Sequence, residues 1–208
     1  MKKYREIIKH YESCLEKHGD SHLGVDWPNE DDVDKRYKIM LEIIALNKEF
    51  DSVSLLDFGC GTAHLKEYIK KNEFDNIEYS GLDISEKFIA VCKDKYPNTS
   101  FFCGDILNPN FELPNFDYII MNGVFTEKRG LTFEEMWDYF SGMLKKVYAI
   151  ANKGIALNVM SKQVDWERDD LFHVPLDKLA DFLCKTLSRN FVVRNDYGLY
   201  EYTLYLFK

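Results

Sequence analysis

The sequence predicts an α/β fold: a doubly wound, mainly parallel sheet of seven strands with a C-terminal antiparallel hairpin. Five short runs rich in β-branched and aromatic residues alternate with helical runs through the centre of the chain, which is the pattern of a doubly wound sheet. Two further β-rich runs near the C-terminus are separated by only a few residues. A link that short excludes the crossover that a parallel pair requires, so these two runs must form a hairpin.

The N-terminal part predicts helices. Apolar residues recur at three-to-four spacing from Lys3 to Lys17 and from Asp32 to Asn47, which indicates two amphipathic helices. The segment between them, residues 19–32, is rich in Gly, Pro and Asp and predicts a loop. We expect residues 1–50 to form a helical lid over an α/β core at 51–208, all within a single domain of 208 residues.

The strands of the core are continuous apolar runs, as expected for strands that are buried on both faces. The five central strands are predicted at residues 53–58, 77–83, 99–105, 116–122 and 154–160. Helices are predicted near 63–71, 85–95, 132–151 and 176–188. The hairpin strands are predicted at 191–197 and 201–207.

Composition restricts the compartment and the partners. The formal net charge of -8 gives an acidic surface that would repel a phosphate backbone, so we expect no nucleic-acid partner. The five cysteines are widely spaced and form no CxxC pair, which favours a reducing compartment. No apolar stretch has the length of a signal peptide or a membrane helix. We therefore expect a cytoplasmic protein without a membrane partner.

The most informative segment is LLDFGCGTAHL, residues 55–65. A buried strand runs into Gly59-Cys60-Gly61 and then into a helix, so the backbone can turn tightly, approach a ligand and present amide donors to it. Glycines that merely make the turn are the alternative explanation. A dinucleotide site would place a third glycine where His64 stands, and a phosphate-binding loop would need a Lys-Ser/Thr pair after the glycines. Both of those sites are disfavoured.

The next two strands end in acidic residues. Asp83 ends the second strand, about twenty residues after the glycine loop, where a carboxylate can accept hydrogen bonds from both ribose hydroxyls. Asp105 ends the third strand at the same edge and could accept a hydrogen bond from an exocyclic amine such as adenine N6. Ile84 would flank the sugar and Ile106 could cover the ring. Either aspartate alone could be a helix cap or turn residue.

At these positions the chain resembles the class I S-adenosylmethionine-dependent methyltransferases, which have a Rossmann-like fold. The likeness extends over about residues 53–160 and is carried by Asp57, Gly59, Gly61, Asp83, Asp105 and the segment FDYIIMNGVF. The resemblance implies S-adenosylmethionine as the cofactor, with its methionine part over the glycine loop, its ribose on Asp83 and its adenine near Asp105 and Ile106. This cofactor has no pyrophosphate, which accounts for the absent third glycine.

The cofactor-binding residues that we expect on this basis come from the lid and from the strand ends. They are Trp27, Arg36, Asp57, Gly59, Cys60, Gly61, His64, Asp83, Ile84, Gly104, Asp105, Ile106, Asn122 and Gly123. Trp27 would stack on cofactor or substrate, and Arg36 would pair with the methionine carboxylate. A core anchor and a surface charge are the alternatives for these two residues.

Methyl transfer is an in-line displacement in which positioning is the main task of the protein. A hydroxyl acceptor also needs a base, and the candidates are His173, Asp196 and Tyr197, with His64 as a further position; an ionised acceptor needs none. The expected substrate pocket consists of Phe125, Thr126, Lys128, Asn158, Ser161 and Tyr200. The chain has MNGVF where methyltransferases of amide or exocyclic base nitrogens carry Asn/Asp-Pro-Pro-aromatic, which counts against those acceptors.

These observations predict a methyltransferase that acts on a small molecule, such as a sugar or a sugar phosphate. The motifs GVxW...RY, NVMS and NDYGLYEYT resemble uncharacterised bacterial methyltransferases, some of which are linked to surface-polysaccharide genes. An NAD-dependent oxidoreductase and a non-catalytic module that binds S-adenosylmethionine are the alternatives. No Asp/Glu/His cluster at ligand spacing predicts a metal site.

Overall fold

The computed structural model describes residues 4–47 and 51–208, and Lys3, the first residue of the first predicted helix, lies outside them. The helices are α1 (Arg5–His18), α2 (Asp31–Leu46), α3 (His64–Lys71), α4 (Glu86–Lys95), α5 (Phe133–Ile150) and α6 (Leu176–Thr186), with a 3₁₀ turn at His22–Val25. The strands are β1 (Val53–Phe58), β2 (Ile77–Asp83), β3 (Ser100–Cys103), β4 (Phe116–Met121), β5 (Ala151–Ser161), β6 (His173–Val174), β7 (Phe191–Arg194) and β8 (Glu201–Phe207).

The strands form one sheet in the order β3-β2-β1-β4-β5-β8-β7, with β6 paired to the end of β5. Strand β8 is antiparallel to both β5 and β7, and the other pairs are parallel. From β1 the chain adds β2 and β3 on one side of the sheet, and from β4 it adds β5 on the other side. The position between β1 and β4 is therefore the switch point of the strand order, which is where open α/β sheets bind ligands. The predicted doubly wound fold with its C-terminal hairpin is confirmed.

The predicted count of seven strands is wrong, because the two residues of β6 add an eighth strand to the described sheet. A two-residue strand is too short to give a β-rich pattern in the sequence. Two predicted strands were also too long: β3 ends at Cys103 and β7 ends at Arg194. After β3 the backbone turns because the carboxylate of Asp105 accepts the N–H of Leu107 at 2.9 Å. The predicted loop at 19–32 contains the 3₁₀ turn.

The core has one apolar layer on each face of the sheet. Leu56 and Ile119 point into the layer that α1, α5 and α6 cover, whereas the adjacent Leu55 and Ile120 point into the layer that α2 and α3 cover. This alternation follows from the two-residue period of a strand.

The predicted lid divides between these layers, because α2 packs against β4, β5 and β8 and contributes to the core. Only α1 and the 3₁₀ turn, extended to Trp27, lie over the edge of the sheet, and we call this segment the lid. None of the helices described in residues 4–47 and 51–208 combines the length and apolar content needed to cross a bilayer.

Candidate functional site

A cleft lies at the carboxyl ends of β1, β2, β3 and β4, beneath the lid. It contains about 1080 Å³ of empty space, including its opening to solvent, which is enough for a small-molecule ligand. All of the predicted cofactor residues line it except Arg36. Ile7, Ile8 and Tyr11 of α1 also line it, together with Tyr139 and Met143 of α5. These residues were not among the predicted cofactor residues, because their helical spacing is also that of an apolar helix face that packs in the core.

The glycine loop requires glycine at two positions. Gly59 has φ +76° and Gly61 has φ +53°, in the left-handed region that side chains disfavour. A Cβ atom at Gly59 would lie 2.7 Å from Val124 Cγ2, and one at Gly61 would lie 2.9 Å from Val25 Cγ1. The bare backbone therefore allows the lid and the β4 loop to approach the turn closely.

The loop does not present free amide donors as the sequence analysis expected. The N–H groups of Gly59 and Cys60 donate to Leu82 O at 2.7 and 2.9 Å, and the N–H of Gly61 donates to Asp83 Oδ2 at 3.1 Å. These bonds fasten the loop to the end of β2. The loop therefore contributes a closely approachable backbone surface, and the acceptor groups of the cleft come from the carboxylates.

Asp57 and Asp83 are neighbouring carboxyl groups at the ends of β1 and β2. Asp57 is buried and accepts the hydroxyl hydrogen of Tyr79 at 2.8 Å. The pKa of Asp57 is raised to about 7, mainly by desolvation; the Tyr79 hydrogen bond opposes this rise and the charge of Asp83 adds to it. Asp83 accepts the N–H of Ser85 at 2.9 Å, and desolvation raises its pKa to about 6.

The third carboxylate, Asp105, connects the cleft to the lid. Its Oδ2 accepts the hydroxyl of Tyr4, just before α1, at 2.5 Å, and the Tyr4 ring stacks on Tyr139 with 4.5 Å between centroids. A second link joins Ser85 to Glu12 of α1, at 2.6 Å. These bonds hold α1 across the mouth of the cleft.

The end of β4 supplies Asn122 and Gly123. Gly123 has φ +77°, and its missing Cβ would lie 3.2 Å from Trp27 Nε1, so the lid tryptophan packs directly on this turn. The N–H of Gly123 donates to Asn158 Oδ1 at 2.7 Å. Asn122 differs from its neighbours because its side-chain N and O atoms are both buried and have no hydrogen-bond partner among the described residues.

Arg36 points away from the cleft. Its Nε donates to both carboxylate oxygens of Glu201 at 3.1 Å, and its guanidinium carbon lies 5.2 Å from the Trp27 ring centroid. Glu201 also accepts from Asn158 Nδ2 at 3.0 Å. Glu201 was not predicted as a site residue, although a charged residue at the start of an apolar strand indicates a buried polar contact.

The three base candidates all lie outside the residues that line the cleft. His173 is buried, with Nδ1 2.7 Å from Ser161 O and Nε2 accepting the N–H of Arg168 at 3.2 Å, so both ring nitrogens are engaged by backbone. Asp196 is exposed and pairs with Arg194 at 2.7 Å. Tyr197 shares a hydrogen bond of 2.9 Å with Thr203.

The further base candidate, His64, lines the cleft. Its Nε2 lies 2.7 Å from Asp20 Oδ1 and 3.0 Å from Thr62 Oγ1, so this nitrogen is already engaged by two other side chains.

The predicted substrate-pocket residues likewise lie outside the cleft lining. Phe125 is fully buried against Phe140, and Tyr200 is 62% exposed. The remaining four are held by other contacts: Thr126 by backbone bonds to Gly123 and Phe172, Lys128 by Asp169 O, Asn158 by Gly123 and Glu201, and Ser161 by Gln163 and His173.

Within the described part of the chain, one group of side chains has the composition of a metal site. The ligand atoms of His10, Cys14 and Asp26 lie within 4.8 Å of one another. The guanidinium of Arg129 contacts the ring of His10, so one of the three side chains is already engaged by a protein cation.

Comparisons with known proteins agree with this geometry. A family model for a methyltransferase domain matches residues 55–147. A Mycobacterium tuberculosis protein provisionally named as a methyltransferase is 25% identical over 159 residues, which are 74% of this chain and 92% of that protein.

Among solved structures, magnesium protoporphyrin IX methyltransferase from Synechocystis, with bound S-adenosylhomocysteine, is similar with a TM-score of 0.67 and 14% identity, over 98% of this chain and 99% of that chain. A plantazolicin methyltransferase is similar with a TM-score of 0.65 and 16% identity, over 98% of each chain. An S-adenosylmethionine-dependent methyltransferase from Clostridium acetobutylicum gives 0.58 and 13%, over 98% of each chain. The chain therefore shares the fold of these methyltransferase structures.

Proposed function

We propose that this chain is an S-adenosylmethionine-dependent methyltransferase with a small-molecule acceptor. The observation that carries the proposal is the convergence of Asp57, Asp83 and Asp105 with the glycine loop on one cleft, at the switch point of the sheet. The methyltransferase-domain match at residues 55–147 includes all of these residues. Fold alone does not determine chemistry, so the site has to support the activity.

The residues present fit this cofactor. The sheet order places Asp105, Asp83 and the glycine loop side by side on β3, β2 and β1, so an extended ligand can contact them in sequence. The adenine would lie against Asp105 and Ile106, the ribose on the oxygens of Asp83, and the methionine part over Gly59 and Gly61. The acidic lining of the cleft also suits a ligand that carries a positive sulfur.

When bound, the cofactor supplies an electrophilic methyl group. The task of the chain is then to hold the acceptor atom in line with the methyl and the sulfur, and to exclude water. Ile7, Ile8 and Tyr11 of the lid, together with Trp27, form an apolar cover for this purpose. The lid is tied down by the Tyr4–Asp105 and Glu12–Ser85 bonds, which anchor it beside the carboxyl ends of β3 and β2.

Thermal unfolding with added ligands tests the proposal. S-adenosylmethionine and S-adenosylhomocysteine should each raise the unfolding temperature with ligand concentration, because a ligand that binds only the native state stabilises it. NAD at the same concentration should have no effect, and stabilisation by NAD alone would replace the proposal with an oxidoreductase. Transfer of labelled methyl groups to a panel of sugars, sugar phosphates and other metabolites then tests turnover; absence of transfer to any acceptor would favour a binding module.

A further inference from the structure

The side-chain amide of Asn122 is a buried polar group without a partner. Neither its Nδ2 nor its Oδ1 is exposed to solvent or hydrogen-bonded within the described residues. An unpaired buried polar atom destabilises the fold, so a native chain that keeps such a group calls for an explanation, of which a ligand is one.

The position of Asn122 says which ligand would complete it. The residue lines the cleft at the end of β4, which follows β3, β2 and β1 in the sheet order. Under the proposed function, the adenine, ribose and methionine parts of the cofactor occupy the first three of these strand ends. Asn122 therefore lies beyond the cofactor, on the side where the acceptor must approach the methyl group.

The charges of the cleft restrict the acceptor. The charged side chains that line it at neutral pH are acidic, and no Lys or Arg is among the lining residues. Near the end of β4, Arg36 pairs with Glu201, Arg129 with Glu127 and Asp170, and Lys128 with a backbone carbonyl. Arg5 and Lys9 line a separate hollow beside Asp105, at the β3 end of the site. An anionic group of the acceptor that entered this cleft would lose its hydration and gain no Lys or Arg as counter-ion, which is unfavourable. The methionine carboxylate of the cofactor differs, because the cofactor carries its own ammonium group, and its positive sulfur is matched by the carboxylates of the lining.

We infer that Asn122 is an acceptor-binding residue and that the acceptor enters as an uncharged hydroxyl or amide N–H group on an apolar body, without a phosphate or a carboxylate in the cleft. This inference rests on the proposed function. An amide side chain both donates and accepts, so it matches a ligand group that does the same. The apolar body would lie against Ile8, Tyr11 and Trp27 of the lid, and the lid must open for it to enter.

The test uses the full chain saturated with S-adenosylhomocysteine and saturation-transfer NMR with matched probes. Benzyl alcohol and benzamide are the uncharged probes, and benzyl phosphate and benzoate are their anionic counterparts. The uncharged probes should bind at least about tenfold more tightly than the anions. In Asn122→Leu their affinity should fall about tenfold, the affinity for S-adenosylhomocysteine should change less than about twofold, and the ligand-free protein should unfold at the same or a higher temperature.

Asn98→Leu is the matched control, because Asn98 is exposed and lies outside the cleft lining; it should change none of the probe affinities. The inference is overturned if the anions bind as well as the uncharged probes, if no probe binds, or if Asn122→Leu retains probe binding. It is also overturned if this variant weakens S-adenosylhomocysteine as much as the probes, or lowers the unfolding temperature, because Asn122 would then serve the cofactor or the fold. If wild type fails to bind S-adenosylhomocysteine, the proposed function itself fails, which the first titration reveals separately.

Discussion

Arg36 and Glu201, which are 165 positions apart in the chain, form a two-oxygen ion pair: Nε of Arg36 lies 3.1 Å from both oxygens of Glu201. Glu201 is buried and also accepts from Asn158, whose carbonyl oxygen holds the N–H of Gly123. Through these contacts α2 and β8 support the β4 turn at the edge of the cleft. The network places no charge in the cleft itself, and Arg36 acts as a support for Trp27 and the turn.

Replacing Glu201 with Gln should destabilise the protein. Gln keeps the size of the side chain but leaves the guanidinium of Arg36 without its counter-ion. Losing one partner of a buried pair costs about 3–5 kcal/mol, and we expect about 2 kcal/mol or more here because Arg36 is partly exposed. Urea unfolding measures the change. Glu112→Gln, at an exposed position, is the control, and an equal effect of both variants would mean that the pair contributes no stability.

Replacing Asp83 with Asn should weaken S-adenosylhomocysteine binding at least about tenfold by calorimetry, since a hydrogen bond to a charged group is worth about 1.5–3 kcal/mol. The backbone bonds from Gly61 and Ser85 can still be accepted in part by the Asn oxygen, so the fold should persist. Asp94→Asn on the exposed side of α4 should leave the affinity unchanged. An unaltered affinity in Asp83→Asn would remove this residue from the proposed ribose site.

The stability of the ligand-free protein should depend on pH through Asp57. Its pKa rises from 3.8 to about 7 on folding. Between these values the native state holds a proton that the unfolded chain has released, so the free energy of unfolding contributed by this group falls as pH rises from about 4 to 7 and then levels off. Asp57→Asn removes the ionisation, so its stability relative to wild type should increase over this range. Urea unfolding at several pH values measures the difference, and a decrease would contradict the assignment.

Asp83, with a pKa raised to about 6, should make S-adenosylhomocysteine binding tighter as pH rises from 5 to 7. The ionised carboxylate accepts from both ribose hydroxyls more strongly than the protonated carboxyl group does, so deprotonation favours the proposed complex. Calorimetry across this range measures the dependence. In Asp83→Asn this rise should be reduced, and an equally steep rise in the variant would assign the pH dependence to another group.

Gly61→Ala should lower stability and ligand affinity together, because its φ of +53° and the 2.9 Å approach of Val25 Cγ1 leave no room for a Cβ. Gly142→Ala is the matched control. Gly142 lies within α5 and has open space around it, so alanine there should stabilise the protein by about 0.5–1 kcal/mol. Thermal unfolding and calorimetry compare the two, and tolerance of Gly61→Ala would contradict the close packing of the turn.

His173→Ala should cost stability without affecting the cleft. Its ring joins Ser161 O at the end of β5 to the N–H of Arg168, and its removal takes this partner from the buried Ser161 O, at about 1–3 kcal/mol. The affinity for S-adenosylhomocysteine should stay within about twofold of wild type. His18→Ala, at an exposed position on α1, should alter neither quantity. A loss of ligand affinity with unchanged stability would return His173 to the site.

Much of the architecture was predictable, because it depends on patterns that are local in the chain. The period of the apolar residues identified the helices and strands, the short link before Glu201 identified the hairpin, and Gly59 and Gly61 identified the turn. The strand ends that meet in the cleft followed from topology alone, since parallel strands bring their carboxyl ends to one edge. The base candidates His173, Asp196 and Tyr197 did not lie in the cleft, because residue type does not reveal which partner a polar side chain meets.

The sequence by itself determined the order of strands and helices, the turn that needs glycine, and the acidic residues that end β1, β2 and β3. Only the tertiary structure decided that Arg36 turns to Glu201, that His173 is consumed by backbone partners, and that Asn122 stays unpaired at the cleft. The physical reason is how far apart in the chain the interacting residues lie. Turns and periodicity depend on neighbouring residues, whereas the pairing of buried polar groups depends on which distant segments the folded sheet brings within about 3 Å.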